Sequence, residues 1–369
     1  MHILQAERDA LLKPLNAVTG IVERRHTLPI LANVLIEKRG EALTFLATDL
    51  EIQITTTSAG TAAGGDFCLT TSAKKLQDIL RALPDNATVS LDQQDGKLAL
   101  KAGKSRFNLQ TLPAEDFPLI TVNHDALASL SLPQKVLKTL LSKVQYAMAV
   151  QDIRYYLNGL LLITDGDQLR LVATDGHRLA FASHTLEGAA LPRADVILPR
   201  KTVVELAKLL ADSEEPVAIE LLPNQAHFQF GQSTIVSKVV EGKFPDYNRV
   251  IPLDNDKILR LDRVVFLQAL QRAAILANEK FRGVRLLLAD GRLSIQCTNS
   301  EQEEAEEELE VAYTGERLEI GFNINYLTDV LTNLPAETFH LAFGDANRSA
   351  LFTLPDATDF KYVVMPMRI

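Results

Sequence analysis

The segment LTFLATDLE, residues 43–51, decides the fold of this chain because closely similar segments follow it twice. They are LRLVATDGH and LSIQCTNSE, and they bring a threonine to positions Thr48, Thr174 and Thr298. The spacings of 126 and 124 residues are each about a third of the 369-residue chain. A long fixed period is typical of a repeated structural unit. The sequence therefore predicts three copies of one domain.

Two further markers keep the same register. The segments KKLQDILRAL, TVVELAKLL and NYLTDVLTNL place Asp78, Glu205 and Asp329 at spacings of 127 and 124 residues. The segments EDFPLI and GKFPDYNRVI surround Phe117 and Phe244, and DFKYVVMPM is a degenerate third counterpart. With boundaries in the polar, proline-containing stretches between the copies, the predicted domains are 1–124, 125–252 and 253–369.

Each copy mixes helices with strands. Leu293, Ile295 and Cys297 alternate with polar residues, as expected of a strand with one buried face. Turn signals such as Asp165-Gly166 and Asp290-Gly291 favour antiparallel hairpins. Stretches with an apolar stripe at steps of three or four residues predict helices, at 7–25, 72–84, 133–149, 199–210, 262–283 and 323–334. We therefore expect α+β domains.

Composition excludes several classes of protein. The chain is 47% hydrophobic and 23% charged, and it has no run of about 18 apolar residues that would predict a membrane span. The first residues lack the features of an export signal, so we expect a cytoplasmic protein. Cys68 and Cys297 are too few for a disulfide framework or a structural zinc site, and we expect both to be buried thiols.

Enzyme signatures are weak. Gly103-Lys104-Ser105 resembles the end of a phosphate-binding loop, but Leu98 stands where that motif needs glycine. His177 has no nucleophile motif beside it, so a histidine in a turn is the favoured interpretation. The seven histidines show no metal-ligand spacing. We therefore expect no catalytic residue, no cofactor and no metal.

The charges are unevenly distributed. The whole chain has a formal net charge of −9, yet five of the six predicted helices carry more basic than acidic residues. One interpretation is that these helix faces are simply solvated. The other is that the helices line one surface that meets a polyanion, while the sheets carry the acidic outside.

Geometry bears on the second interpretation. A domain of about 123 residues has a radius of gyration near 14 Å and a diameter of roughly 35 Å. Three such domains in a closed ring leave a hole of only ~5 Å, whereas six leave a hole about one diameter wide. The two groove depths of DNA alone sum to about 16 Å. One chain is therefore too small to encircle a duplex, whereas a head-to-tail dimer is large enough.

The sequence resembles the bacterial DNA polymerase III beta subunits, the sliding clamps, along its full length and in all three repeats. The most specific stretches are RHTLPILANVL (25–35), QDIRYYLNGLL (151–161), TDGHRLA (174–180), KFPDYNRVIP (243–252), AILANEKFRGVRL (274–286), EQEEAEEELEV (301–311) and YVVMPMRI (362–369). The resemblance implies three "DNA clamp" domains with helices inside and antiparallel sheets outside. It implies a homodimer that closes into a six-domain ring around double-stranded DNA and gives the replicative polymerase its processivity, without enzymatic activity.

The same resemblance implies where partners bind. The family captures the DNA polymerase III catalytic subunit, the clamp loader, and other DNA polymerases and repair proteins through short hydrophobic peptides. An apolar pocket with a few polar groups at its rim suits such a ligand. The matching positions are Leu157, Thr174, Gly176, His177, Arg178, Leu179, Pro245, Arg249, Val250, Asn323, Tyr326, Ser349, Val363, Val364, Met365, Pro366, Met367 and Arg368. Core packing is the alternative for the leucines and valines in this set.

Two further sets follow from the resemblance. The positions implied to face DNA are Arg25, Gln151, Tyr155, Tyr156 and Lys201. The positions implied to form the dimer interface are Lys74, Lys104, Arg106, Ile275, Leu276, Glu301, Glu303 and Glu304. The acidic run 301–310 is either a solvated face or an edge strand that docks on a basic partner strand. A sequence-independent DNA-binding scaffold that does not encircle DNA remains the alternative function.

Overall fold

The computed structural model describes residues 2–23, 28–58, 62–94, 96–122 and 125–369, with residues 62 and 63 described by their backbone only. Contacts divide the chain into two compact units. The first unit comprises Met1–Lys138 and Lys201–Val239, and the second comprises Thr139–Arg200 and Val240–Ile369. The second repeat contributes strands to both units, so this division follows the sheets. The domain boundaries after residues 124 and 252 stay a prediction.

All six predicted helices are present. Each begins one residue after its predicted start and ends one to ten residues before its predicted end. The first repeat contains β1 (His2–Glu7), α1 (Arg8–Val18), β2 (Asn33–Arg39), β3 (Ala42–Thr48), β4 (Ile52–Thr57), β5 (Ala62–Ala63), β6 (Phe67–Ser72), α2 (Ala73–Ala82), β7 (Thr88–Gln94), β8 (Lys97–Ala102) and β9 (Ser105–Leu112). The second contains β10 (Ala128–Pro133), α3 (Gln134–Val144), β11 (Gly159–Gly166), β12 (Gln168–Thr174), β13 (Arg178–Thr185), β14 (Leu191–Pro199), α4 (Arg200–Leu209), β15 (Pro216–Leu221), β16 (Gln225–Phe230) and β17 (Ser233–Lys238). The third contains β18 (Lys257–Asp262), α5 (Arg263–Ala273), β19 (Gly283–Ala289), β20 (Arg292–Thr298), β21 (Glu304–Glu310), β22 (Leu318–Asn323), α6 (Ile324–Asn333), β23 (Thr338–Phe343), β24 (Ala350–Leu354) and β25 (Ala357–Val364).

The first unit is built on one antiparallel sheet of thirteen strands. Its order is β10-β15-β16-β17-β4-β3-β2-β6-β9-β8-β7-β1-β5. The first and second repeats meet inside this sheet, where β17 pairs with β4 and Ile235 lies opposite Ile54. Both isoleucines are fully buried. Backbone hydrogen bonds and apolar side chains therefore join the two repeats.

The second unit has two sheets. The larger has the order β14-β11-β12-β13-β25-β24-β23-β18, and the smaller has the order β21-β20-β19-β22. The second and third repeats meet in the larger sheet, where β13 pairs with β25 and Leu179 lies opposite Val363. The second junction thus uses the same kind of strand pairing as the first.

Local sequence explains these elements. In β20, Leu293, Ile295 and Cys297 are all buried, which confirms the predicted alternation. At the predicted Asp165-Gly166 turn, Gly166 adopts φ +62°, a backbone conformation that glycine reaches without a steric penalty.

Helix α5 shows how an apolar stripe and a cap define a helix. Asp262 caps it by accepting a hydrogen bond from the N–H of Val265 at 2.8 Å. Its buried residues are spaced three or four apart, namely Phe266, Ala269, Leu270 and Ala273. Phe266 then packs against Phe339 with ring centroids 6.0 Å apart. The stripe therefore faces the core of the third repeat.

The two cysteines behave differently. Cys297 is buried, as predicted, and burial raises the pKa of its thiol to about 11. The prediction that Cys68 is buried was wrong, since its side chain is exposed. Successive side chains of a strand point to opposite faces, and in β6 the neighbouring Leu69 takes the inward place. Within the described ranges, no helix combines the length and the apolar character needed to cross a membrane.

Candidate functional site

A tight turn between β12 and β13 forms one wall of the candidate site. Thr174 Oγ1 donates to the carbonyl oxygen of Arg178 at 2.6 Å and accepts from the N–H of Gly176 at 3.1 Å. Asp175 Oδ1 accepts from the N–H groups of His177 and Arg178 at 2.9 and 3.0 Å. Gly176 has φ +89°. Four short-range hydrogen bonds therefore hold the TDGHR segment in one conformation.

Arg178 is held beneath this turn. Its guanidinium donates to Asp329 Oδ2 at 2.5 Å, to the carbonyl oxygen of Tyr146 at 2.6 Å and to Asp175 Oδ2 at 3.1 Å. It also lies 4.6 Å from the centroid of the Tyr326 ring, a cation–π contact. Only 10% of the side chain is exposed. Burial alone would lower the pKa of Arg178, but its partners outweigh burial and hold the pKa above its usual value.

The C-terminal segment forms a second wall because it runs beside the turn. Beyond the β13–β25 pairing, the N–H of Met365 donates to the carbonyl oxygen of His177 at 2.9 Å. The N–H of Met367 donates to the carbonyl oxygen of Gly321 at 2.8 Å. Tyr362 is fully buried behind this wall. Backbone hydrogen bonds therefore fix the tail against both the turn and the third repeat.

A third wall comes from the KFPDYNRV segment. Phe244 and Tyr247 are buried in the same apolar cluster as Leu157, Leu179 and Val363. Tyr247 also stacks on Phe181 with ring centroids 5.8 Å apart. The three walls enclose a mostly apolar cavity of about 210 Å³, which is lined by Arg154, Tyr156, Leu157, Thr174, Gly176, Arg178, Leu179, Phe244, Pro245, Tyr247, Val250, Val363 and Met365.

The structure brings half of the predicted cleft residues together around this cavity. These are Leu157, Thr174, Gly176, Arg178, Leu179, Pro245, Val250, Val363 and Met365. The other predicted residues are outside the lining, and they are His177, Arg249, Asn323, Tyr326, Ser349, Val364, Pro366, Met367 and Arg368.

Some of these outer residues support the lining, and others lie on the surface or in the core. His177 stacks on Tyr326 with ring centroids 6.5 Å apart, and the carbonyl oxygen of Tyr326 accepts from the hydroxyl of Tyr362 at 2.9 Å. Asn323 caps α6. Arg249 is highly exposed and pairs with Asp246 at 3.1 Å. Val364 is fully buried, which agrees with the core alternative for this residue.

Sequence reasoning missed three lining residues. Phe244 recurs as Phe117 in the repeated marker, so its recurrence was a usable signal. Tyr247 lies three residues further on and does not recur, since Ile120 stands at the matching position. No sequence pattern marks Arg154 as a lining residue, because its position depends on a bidentate ion pair with Asp152. Both contacts of this pair are 2.9 Å long. Tyr156, which the resemblance placed facing DNA, lines this cavity.

The other positions implied to face DNA lie in different surroundings. Gln151 and Tyr155 are exposed in the loop that follows α3. Lys201 donates to Asp49 at 2.5 Å and to Glu23 at 3.0 Å. Burial alone would lower the pKa of Lys201, but these two carboxylates outweigh it and hold the pKa above its usual value. The charge of Lys201 is therefore compensated within the chain. Arg25 lies outside the described residues.

The implied interface residues fall into two groups, one in each unit. Arg106 lies at the start of β9, and Lys104 lies in the turn before it. Strand β9 pairs with β8 over residues 105–110 and with β6 only at Thr111 and Leu112. Lys74 is half-buried on α2. Residues 105–110 of β9 thus have one open edge in the described part of the unit.

The second group surrounds another open edge. Glu304 begins β21, the outermost strand of the four-stranded sheet, and Glu301 and Glu303 lie in the turn before it. Residues 304–310 of the acidic run thus form an edge strand, and its docking on a basic partner strand stays a prediction. Ile275 is 78% exposed and Leu276 is half-buried, in a 3-10 turn that contacts β21.

The chemistry of the cavity is that of a binding site for an apolar chain. Leucine, valine, phenylalanine and methionine side chains supply contact area, and Arg154 and Thr174 supply polar groups. Across the described ranges, no three His, Cys, Asp or Glu side chains are grouped to hold a metal ion.

Three family models match the chain in succession. They describe the N-terminal, central and C-terminal domains of the DNA polymerase III beta subunit, and they match residues 2–121, 131–246 and 248–368. The chain belongs to this family. Its three repeats are therefore three clamp domains, and the predicted α+β fold with antiparallel sheets is confirmed.

Individual members of the DNA polymerase III beta subunit family are similar to this chain in sequence and in structure. The beta sliding clamp of Pseudomonas aeruginosa is 47% identical over 363 residues, covering 98% of this chain and 99% of that protein. That of Escherichia coli K12 is 42% identical with the same coverage. A crystal structure of the P. aeruginosa subunit covers both chains completely at 46% identity with a TM-score of 0.94. So does a P. aeruginosa sliding clamp bound to griselimycin.

We predict that Arg178→Gln destabilises the second unit. The change leaves the Asp329 carboxylate and the Tyr146 carbonyl without their donor, which costs about 1–3 kcal/mol of unfolding free energy. Urea unfolding measures this cost. The matched control is Arg170→Gln, because the Arg170–Asp165 contact is 3.9 Å long and partly exposed. Equal unfolding midpoints for the two variants would contradict a structural role for Arg178.

Proposed function

We propose that this chain is a sliding clamp that pairs head to tail with a second copy and encloses duplex DNA without reading its sequence. Tethering the DNA polymerase III catalytic subunit then gives the polymerase its processivity. The clamp loader, other DNA polymerases and repair proteins use the same cleft. No bond is made or broken in this role, so we propose that the chain has no enzymatic activity.

The main support for this proposal is a pair of open strand edges, one on β9 and one on β21. Within the chain, consecutive repeats are joined by antiparallel pairing, β4 with β17 and β13 with β25. Among the strand edges that stay unpaired in the described residues are that of β9 in the first repeat and that of β21 in the third. Open edges are templates for pairing with another chain. Pairing β9 of one copy with β21 of another would repeat the internal junction between copies.

Charge supports this pairing and its direction. Strand β21 has the sequence EAEEELE, and its glutamates at 304, 306, 308 and 310 are exposed. Strand β9 begins with Ser105-Arg106 and follows Lys104, and both basic residues are exposed. Opposite charges across an interface favour the correct partner and disfavour self-pairing of two acidic edges. Exposed Ile275 beside β21 adds an apolar contact.

The DNA contact is proposed to be weak and electrostatic. Basic residues outnumber acidic residues on α1 to α5, which suits contact with phosphates rather than with bases. Since Asp49 and Glu23 compensate Lys201, we do not expect that residue to dominate the affinity. Exposed Gln151 and Tyr155 are further candidates.

Topology is the property that distinguishes the proposed function from its alternative. We expect the loaded protein to stay on nicked circular DNA and to be lost when that circle is linearised, because a ring slides off free ends. Gel filtration of the protein–DNA complex before and after cutting measures this. Equal retention on both forms would favour the non-encircling scaffold and contradict the proposal.

We predict that Ile275→Ala combined with Leu276→Ala opens the dimer. Loss of two apolar contacts at the seam should weaken association by about 2–4 kcal/mol, or roughly 30- to 1,000-fold. Light scattering across a dilution series gives the mass. The control combines Leu253→Ala with Ile258→Ala, two exposed apolar residues of the same unit, of which Ile258 lies on β18 in the other sheet. An unchanged dimer in the seam variant would place the interface elsewhere.

We also predict that deleting Met365–Ile369 leaves a dimer that no longer binds a short peptide carrying glutamine followed by leucine and phenylalanine. The deletion removes one wall of the cavity but no proposed seam residue. Met365→Ala should weaken the same peptide by about 1–2 kcal/mol, since Met365 lines the cavity and is partly exposed.

The control is Ile369→Ala. It changes the same tail, but its side chain approaches Gly283 and Gly321 and is outside the cavity lining. Fluorescence titration of labelled peptide gives each affinity. Wild-type affinity in the truncated protein would show that the tail has no part in peptide binding.

A further inference from the structure

The first repeat contains a copy of the turn that forms the cleft. Thr48 Oγ1 donates to the carbonyl oxygen of Ile52 at 2.9 Å and accepts from the N–H of Leu50 at 3.0 Å. Asp49 Oδ1 accepts from the N–H groups of Glu51 and Ile52, both at 2.9 Å. These four bonds match those of Thr174 and Asp175 one for one. The turn therefore recurs 126 residues earlier with the same geometry.

The apolar surroundings recur as well. Around the first turn, Ile30, Leu31 and Phe117 form a buried cluster, with Leu35 and Leu46 packed against it. Their counterparts 126 or 127 residues later belong to the apolar cluster at the cleft, and they are Tyr156, Leu157, Phe244, Leu161 and Val172. Three of these counterparts line the cavity. The first repeat thus has apolar side chains at the positions that match those of the cleft in the second repeat.

The two copies differ at the third residue of the turn. Leu50 occupies this position in the first repeat, and its side chain packs against the cluster of Ile30, Leu31 and Phe117. Gly176 occupies it in the second repeat, where an added Cβ would lie 2.8 Å from a guanidinium nitrogen of Arg154, a residue that lines the cavity. A side chain at this position in the second repeat would therefore begin beside Arg154, at the lining of the cavity.

Leu50 has a backbone conformation that is unusual for leucine. Leu50 has φ +77°, close to the φ +89° of Gly176. A bulky residue rarely adopts a left-handed conformation, because its Cβ is then sterically crowded. Leu50 is partly buried, and burial of apolar side-chain surface offsets the cost of such crowding. The contacts of Leu50 with the cluster therefore maintain a backbone conformation that leucine otherwise avoids.

We propose that the first repeat carries a closed copy of the partner cleft, with the side chain of Leu50 as its permanent occupant. The third residue of the turn thereby decides whether the cleft is open in the second repeat and closed in the first. This inference rests on the proposed function of the cleft as a peptide-binding site. It explains why two repeats with the same turn and cluster present different surfaces.

The first test closes the open cleft. Gly176→Leu should place a leucine where Leu50 lies in the first repeat, and it should weaken the glutamine–leucine–phenylalanine peptide by at least about 30-fold. Gly166→Leu is the matched control, because Gly166 also has positive φ but faces open space. Both variants should remain dimeric with similar melting temperatures. Wild-type peptide affinity in Gly176→Leu would overturn the inference.

The second test opens the closed copy. Leu50→Gly is added to the Gly176→Leu chain, so that any peptide binding reports the first repeat. We expect binding to return at one peptide per chain, weaker than in the wild type because Ile52 stands where Arg178 stands in the second repeat. Isothermal titration gives the stoichiometry. No binding by the double variant would show that Leu50 does not close the copy.

These outcomes separate the inference from the function on which it rests. If the unmodified protein fails to bind the peptide, the proposed function of the cleft fails. If the unmodified protein binds and Gly176→Leu binds equally well, the function stands and only the role of the turn residue is overturned.

Discussion

Antiparallel pairing between the edge strands of consecutive repeats is the interaction on which this structure depends. An isolated repeat would expose unpaired N–H and C=O groups along its outer strands. Pairing of β4 with β17 and of β13 with β25 satisfies them at both internal junctions. The second junction also creates the cleft, because the 174–178 turn leads directly into β13 while the tail continues from β25. The site is therefore a by-product of how two repeats are joined.

The same constraint organises the proposed assembly. A chain that joins its repeats edge to edge still has an open edge in its first repeat and another in its third, at β9 and β21. Their basic and acidic residues make the two edges complementary to each other and not to themselves. Closing them between two copies would join the third repeat of each copy to the first repeat of the other, as in other closed symmetric assemblies. Enclosure of DNA would then require no strong contact with it.

Much of the fold could be predicted from the sequence, because repetition and periodicity are visible in the sequence itself. The three copies, the six helices and the buried face of β20 follow from spacing alone. Cys68 was misjudged because cysteine is usually buried, whereas the pleat of β6 gives the inward place to Leu69. The contact of Arg178 with Asp329 joins residues 151 positions apart, so no local pattern reveals it. Likewise, comparing Leu50 with Gly176 gains meaning only once their surroundings are known.

Hydrogen exchange at the edges of β9 and β21 reports whether strand pairing closes the proposed dimer. We predict that amides of β9 and β21 that are not bonded to β8 or β20 exchange slowly at micromolar protein and faster on dilution. Amides of β4 and β17 should be protected equally at both concentrations, since their pairing lies within one chain. Fast exchange at β9 and β21 at every concentration, in a protein that remains dimeric, would contradict strand pairing as the means of closure.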